Sequence, residues 1–502
     1  MKRIFLLASC TLVAFTLFAQ TPVKKAAPQN SAGASAGYNI AFTLTPLKNC
    51  KLYLGTYFGK NFILVDSAQV NGQSSGNFTG KNKLTQGIYF FVTPAHTRLF
   101  DFLVDAPQHF TVIGDSAQGE PKSITGSAEN AIFLDYTKYL SEIGPKMNEL
   151  DVQLKDPNLT KERADGIKSQ LAVYNKQLSD YRLNIVKTHP SSIMATIFNL
   201  MRMPAPPTKL PLINGKPDSS YIGRYMKEHY WDDVAFNDDR ILHTPVFDNS
   251  NPQLSKLENY LKYYVSPNPD SIFNEINYML LYARTGKEMF HYLLGRFTDK
   301  YINPEIMGQN KVFILLFQNY FAKGDTLWLN AAQRKYVFDQ YYSQVSALIG
   351  DPAPALDLVD TAGKPVSLYN VKAPFTFVVF WDPTCSHCKE QVPEVDSMYE
   401  AKWKAEGVKV FAVNVNEATE GEWKSFIKEH HLTGWVHAWQ TKEEHEADTK
   451  AQRPNFRQLY NVFQTPTMYL LDANKHIIAN RLSLEQFDGI IDTKLKNSNA
   501  GK

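Results

Sequence analysis

A chain of 502 residues, 44% apolar and 13% aromatic, holds enough hydrophobic material for two or three cored domains. Its 53 Lys and Arg nearly balance 50 Asp and Glu, and a formal charge of +3 gives no electrostatic footprint for nucleic acid or an acidic surface. Four cysteines in such a length exclude a scaffold stapled by disulfides.

In chain order, Met1-Lys2-Arg3 is a basic start, Ile4 to Ala19 is apolar, and Leu17-Phe18-Ala19 before Gln20 has the form of a cleavage site. A run this short does not span a bilayer, so residues 1–19 are expected to be a cleaved secretory signal. Leu7-Ala8-Ser9-Cys10 resembles a bacterial lipobox and makes lipid anchoring through Cys10 the lesser alternative. No later stretch is long and apolar enough to cross a membrane, so the mature chain is expected in the periplasm or cell envelope without a transmembrane helix. Removing the signal leaves Cys50, Cys385 and Cys388. Cys50, between apolar neighbours, is expected to be a buried small hydrophobe.

Residues 20–37, rich in Ala, Ser, Pro and Lys, read as a flexible tether. Residues 38–125 carry short alternating runs between Gly, Asn and Asp turns: 38–44, Lys51–Tyr57, Gly87–Val92, Leu99–Val104 and Phe110–Ile113. That spacing predicts a small all-β sandwich. Residues 126–348 read as a helical domain. Two long helices over 128–186 are separated near Lys155-Asp-Pro-Asn-Leu-Thr160, and further helices are expected over 254–265, 272–285, 287–300, 311–322 and 331–348. No cluster in either region has the spacing of a catalytic or metal site.

Asp351-Pro-Ala-Pro354 opens the last region, 349–502, where strands alternate with helices and a hairpin closes the chain, the pattern of an α/β domain. Within it, Phe375 to Trp381 is apolar except for Thr376 and reads as a buried strand; Asp382-Pro383-Thr384 ends it. Cys385-Ser-His-Cys388 then opens a helix beginning near Lys389. A helix N-terminus presents unpaired N–H groups and the positive end of its dipole, which favours a thiolate at the first cysteine. The second cysteine, one turn along, is placed to resolve a mixed disulfide. Zinc would need two further ligands, and there is neither a second C-x-x-C nor a spaced His pair, so no metal is expected.

Phe380-Trp381, Cys385-x-x-Cys388, Pro393 and Thr465-Pro466-Thr467 together resemble the thioredoxin superfamily, in particular its TlpA/ResA-like envelope branch, over about residues 349–491. The resemblance implies a thiol–disulfide oxidoreductase whose only redox group is the Cys385–Cys388 disulfide, with no separate cofactor. It implies a cis Thr465-Pro466 bond facing the dithiol, substrate contacts from Trp381, Thr465 and Pro466, and His387 as a tuner of the couple. The β and helical regions resemble uncharacterised domains fused ahead of such modules. Partners are then protein thiols and disulfides and a redox donor or acceptor in the envelope; reductase, isomerase and oxidase share these residues.

An imidazolium at His387 would stabilise the Cys385 thiolate, placing the potential nearer an isomerase's about −180 mV than thioredoxin's about −270 mV. Two positions depart from the family: the buried acid of thioredoxins falls at Val379, and the acid of TlpA-like proteins falls at Gln391. That leaves Glu390 or water to take the Cys388 proton. Two alternatives stay open. One is a peroxiredoxin-like peroxidase, whose threonine three residues before the reactive cysteine is Asp382 here; the other is a docking protein that uses the fold without chemistry.

Overall fold

The structure, a computed structural model, describes residues 37–500, and side chains to residue 497. The signal segment, Cys10 and all of the tether but Gly37 lie outside the described residues. The chain divides into two compact units. Among the described residues, one holds 37–266 and Asn274–Gly295, the other Pro267–Phe273 and 296–500.

In the first unit, eight strands make two four-stranded sheets: β1 (Tyr38–Thr45), β2 (Cys50–Phe58), β3 (Asn61–Val70), β4 (Ser75–Gly80), β5 (Gly87–Val92), β6 (Arg98–Val104), β7 (His109–Asp115) and β8 (Glu120–Thr125). One sheet runs β4-β1-β7-β8, with β1 and β7 parallel; the other runs β3-β2-β5-β6. Ile40, Phe42, Leu52, Leu54, Phe91, Phe102 and Val112 fill the space between them, the expected sandwich core. Cys50 differs from the expectation: it ends up only partly buried, at the edge of that core.

Strand β5 is buried at every position, which alternation alone does not produce. Its second face, with Ile88 and Phe90, is covered by α1 (Ala128–Gln153), α2 (Lys161–Thr188) and α3 (Ile193–Met201), through Tyr136, Ile185, Ile197 and Phe198. Packing therefore continues across residue 125, and the first three helices share a compact unit with the sandwich.

The start of α1 is tied to β6. Ser127 Oγ accepts from the Asn130 amide at 3.1 Å and donates to Asp105 Oδ2 at 2.9 Å, while the Asn130 side chain bonds both backbone groups of Leu103. Losing an N-cap costs about 1 kcal/mol. Ser127→Ala is therefore expected to lower the unfolding free energy by about that amount, read by urea denaturation.

A short ribbon, β9 (Leu212–Ile213) with β10 (Lys216–Pro217), and α4 (Tyr221–Glu228) follow; neither is evident in the sequence. Then come α5 (Lys256–Tyr263), α6 (Pro269–Ala283), α7 (Met289–Ile302), α8 (Asn310–Asn319) and α9 (Ala331–Gln344), close to the expected spans.

The second unit is built on one sheet. Its strands are β11 (Asp357–Val359), β12 (Pro365–Ser367), β13 (Phe375–Trp381), β14 (Val408–Asn414), β15 (Val436–Trp439), β16 (Thr467–Asp472) and β17 (Ile477–Asn480), in the order β12-β11-β15-β14-β13-β16-β17. β13, β14 and β15 run parallel, β16 pairs antiparallel with β13, and β17 pairs antiparallel with β16. Apolar side chains cover both faces, which is why β13 is apolar almost throughout. Phe377, Val379 and Trp381 face α10 (Ser386–Met398), α11 (Glu420–Glu429) and the terminal α14 (Leu484–Ala500). Val378 and Phe380 face Tyr460 and Phe456 of α13 (Phe456–Leu459). Between β15 and α13 a charged segment forms α12 (Lys442–Lys450), a helix with no buried residue and a Thr441–Glu444 capping box.

Candidate active site

Three chain segments meet at the C-terminal end of β13. The first is the turn after that strand. Asp382 Oδ1 accepts from the Thr384 amide at 2.8 Å and the Thr384 hydroxyl at 2.7 Å, its Oδ2 accepts from Asn416 Nδ2 at 2.9 Å, and its carbonyl accepts from the Cys385 amide at 3.1 Å. Burial pushes the Asp382 carboxyl up, but these bonds and the charge of Arg457 outweigh it and hold it below the usual range. From its residue types alone Asp382-Pro383-Thr384 marks the end of a strand. It is an Asx turn that shapes the dithiol loop, and an Asp-Pro-Thr run is the signal that could have shown it.

The turn delivers Cys385 to the N-cap of α10, with Ser386 as the first helical residue. Cys385 is half-buried and its thiol lies 3.5 Å from the Thr465 carbonyl, to which it donates. A hydrogen bond from the Thr465 side chain lowers its pKa first, burial opposes that, and the backbone amides of Cys388 and His387 lower it further. Cys388 is 0% exposed; burial pushes its thiol up to about 12, although the Asp382 amide donates to its Sγ at 3.5 Å. The two thiols are therefore poised oppositely: Cys385, half-buried, has its pKa lowered, and Cys388, fully buried, has its pKa raised.

The third segment is the loop before β16. Thr465-Pro466 is cis and stands against Cys385, where the resemblance puts it. With His387 and Gln391 of α10, this loop lines a cavity of about 420 Å³. His387 is exposed. Phe463, 72% exposed, stands just before the loop.

Trp381 packs beneath the site, as its place at the end of the buried strand leads one to expect. It is 0% exposed, packed against Phe426 with ring centroids 5.1 Å apart, so it supports the site from beneath and has no surface for a substrate. Val379 is likewise sealed in the core. Gln391 lines the groove, whereas Glu390 is exposed and lies outside that lining. An amide cannot take the Cys388 proton, whereas a carboxylate can. Gln391→Glu is therefore expected to speed resolution of a mixed disulfide by about tenfold or more near neutral pH. Rapid-mixing measurement of thiol release checks this; an unchanged rate from about pH 6 to 9 means solvent already serves.

Comparison with known proteins bears on the same segments. The AhpC/TSA family model matches residues 349–480, and a domain of unknown function, DUF5106, matches residues 175–345. The thiol-disulfide oxidoreductase ResA of Bacillus subtilis is 38% identical over 69 residues, which is 14% of this chain and 38% of that relative's length. ResA of Oceanobacillus iheyensis is 26% identical over 151 residues, 29% of this chain and 71% of the relative. Among solved structures, a domain of a possible thiol-disulfide isomerase from Cytophaga hutchinsonii is 32% identical, covering 31% of this chain and 97% of that one at a TM-score of 0.27. A thioredoxin-like protein from Bacteroides caccae is 18% identical, covering 58% and 98% at a TM-score of 0.43. The C-terminal region is thus an AhpC/TSA-family thioredoxin-like domain, similar to ResA and preceded by a DUF5106 domain.

Proposed function

We propose that this chain is a secreted thiol–disulfide oxidoreductase that exchanges disulfides with envelope proteins through Cys385 and Cys388. The observation that carries the reading is the opposite poise of the two thiols: Cys385, half-buried against the Thr465 carbonyl, has its pKa lowered, and Cys388, fully buried, is pushed up to about 12. In the reducing direction, the Cys385 thiolate attacks one sulfur of a substrate disulfide. That S–S bond breaks, the other substrate sulfur leaves as a thiol, and a mixed disulfide remains. Cys388 then loses its proton and attacks Cys385 Sγ. The second substrate thiol is released, the substrate has gained two electrons, and the protein holds a Cys385–Cys388 disulfide that a partner dithiol must reduce again.

Thr465 and Pro466 wall the groove, and exposed Phe463 offers apolar contact to a protein substrate. The basic, then apolar, N-terminal segment supports export to the envelope. No helix of the described residues is long and apolar enough to cross a membrane.

The test is equilibration of the purified chain with glutathione buffers of varied ratio, together with reduction of a disulfide-bonded protein in the presence of dithiothreitol. A Cys385–Cys388 couple that titrates reversibly and accelerates the reduction is the expected result. A pair that neither titrates nor accelerates it would leave only a docking role for the fold, and turnover of peroxide in place of disulfide would favour the peroxidase.

A further inference from the structure

The groove beside the dithiol does not end at the cis-proline loop. Arg481 and Leu482, which follow β17, line both that groove and a second cleft of about 190 Å³ within the same compact unit. The outer wall of the second cleft is the segment Asn303 to Gly308, which precedes the thioredoxin-like domain in the chain. Met307 of this segment packs on the core of the domain, and its Sδ accepts from the Asn480 amide at 3.5 Å. Ile306, 54% exposed, stands at the cleft's edge.

Two groups in the second cleft lack partners they are built to take. Asn461 is 7% exposed, yet its Oδ1 accepts no hydrogen bond, whereas the neighbouring amides Asn310 and Gln344 bond one another at 3.2 Å. An unpaired acceptor buried to this degree costs free energy unless a donor reaches it. Arg481 is exposed, donates to the Asn461 carbonyl at 3.2 Å, and forms no ion pair among the described residues. A guanidinium carries five donors in a planar fork suited to a carboxylate. Glu305 also lines the cleft but makes no ion pair with Arg481. The dithiol groove itself is lined by no carboxylate: Gln391 and Gln464 stand there, with His387 and Arg481.

We propose that a substrate polypeptide bound at Cys385 runs on, in extended form, past Leu482 into this second cleft, and that the cleft selects segments with an acidic side chain a few residues from the reactive cysteine. Arg481 takes the carboxylate, and the segment around Ile306 covers the chain. The inference rests on the exchange reading above and names the substrate class for it. The region before the thioredoxin-like domain thereby acts as part of the specificity surface.

The experiment uses the full mature chain and three disulfides: a symmetric peptide disulfide with glutamates flanking the cysteine, the same peptide with lysines, and uncharged hydroxyethyl disulfide. The native chain is expected to prefer the glutamate peptide by about tenfold in kcat/KM, equivalent to about 1.4 kcal/mol. Arg481→Gln should bring that ratio close to one, and Ile306→Asp, at an exposed position that tolerates the change, should lower it as well. Because a ratio is read, a general loss of folding or activity does not imitate the effect. Turnover of hydroxyethyl disulfide with equal rates for the two peptides, or a ratio unmoved by both substitutions, overturns the inference and leaves exchange standing. Turnover of none of the three by the native chain sinks exchange and this inference together.

Discussion

Replacing Cys385 with serine is expected to abolish exchange, whereas replacing Cys388 with serine is expected to leave the chain joined to its substrate by a long-lived mixed disulfide. The asymmetry follows from where one turn of helix puts two identical side chains. Cys385, at the N-cap of α10, meets the Thr465 side chain and the amides of His387 and Cys388, each favouring the thiolate, and the residue is partly exposed. Cys388, 0% exposed and pushed to about 12, presents a negligible thiolate fraction to solvent near neutral pH. It becomes a nucleophile only once Cys385 carries a substrate sulfur and its own proton has left. Iodoacetamide should accordingly label Cys385 much faster than Cys388 in the folded, reduced chain. The labelling rate should climb with pH through a midpoint lower than that of an unperturbed cysteine, because the Cys385 pKa is lowered. In an envelope extract, tagged Cys388→Ser should carry adducts that dithiothreitol releases. Equal adducts on tagged Cys385→Ser, or labelling of Cys388 at the same rate, would contradict the assigned order of attack.

The dithiol and its facing loop were legible because each is a local pattern: an apolar strand cut by proline, a spaced cysteine pair, and a Thr-Pro-Thr run before another strand. Strand β13 was plain for a physical reason, being buried on both faces, so that nearly every residue from Phe375 to Trp381 is apolar. Strand β3 escaped notice because its apolar Phe62 and Leu64 are 59% and 55% exposed, the reverse of the usual alternation. The joining of sandwich and helices was hidden as well. The second apolar face of β5 shows only that something covers it; that α1 to α3 do so is settled by pairings across many residues, such as Phe90 in one cluster with Phe198. Arg481 and Asn461 carry no motif at all. They share a cleft because the β16–β17 hairpin brings residue 481 back beside the loop after α13, a matter of tertiary return rather than sequence spacing.

His387→Pro is expected to make the Cys385–Cys388 disulfide harder to reduce, while His387→Ala should change it little. The sequence pointed to the imidazole as the tuner, but the side chain is exposed, and what His387 supplies to Cys385 is its backbone N–H. Proline removes that donor, and because residue 387 lies in the first turn of α10, no intrahelical bond is lost and the helix tolerates the ring. Alanine keeps the donor and removes only the ring. A hydrogen bond to a charged group contributes about 1.5–3 kcal/mol. For a two-electron couple, about 30 mV corresponds to about 1.4 kcal/mol, so its loss should shift the potential by about 30–60 mV. The sign follows from which form the bond stabilises. The N–H favours the thiolate, hence the reduced state; without it the Cys385 pKa rises, the reduced state loses stability, and the potential becomes more negative. Glutathione titration of the native chain and both variants, with thiolate absorbance followed against pH, measures potential and pKa together. Equal shifts in His387→Ala and His387→Pro would return the role to the imidazole, and the absence of any shift in His387→Pro would leave Thr465 and Cys388 as the groups that hold the thiolate.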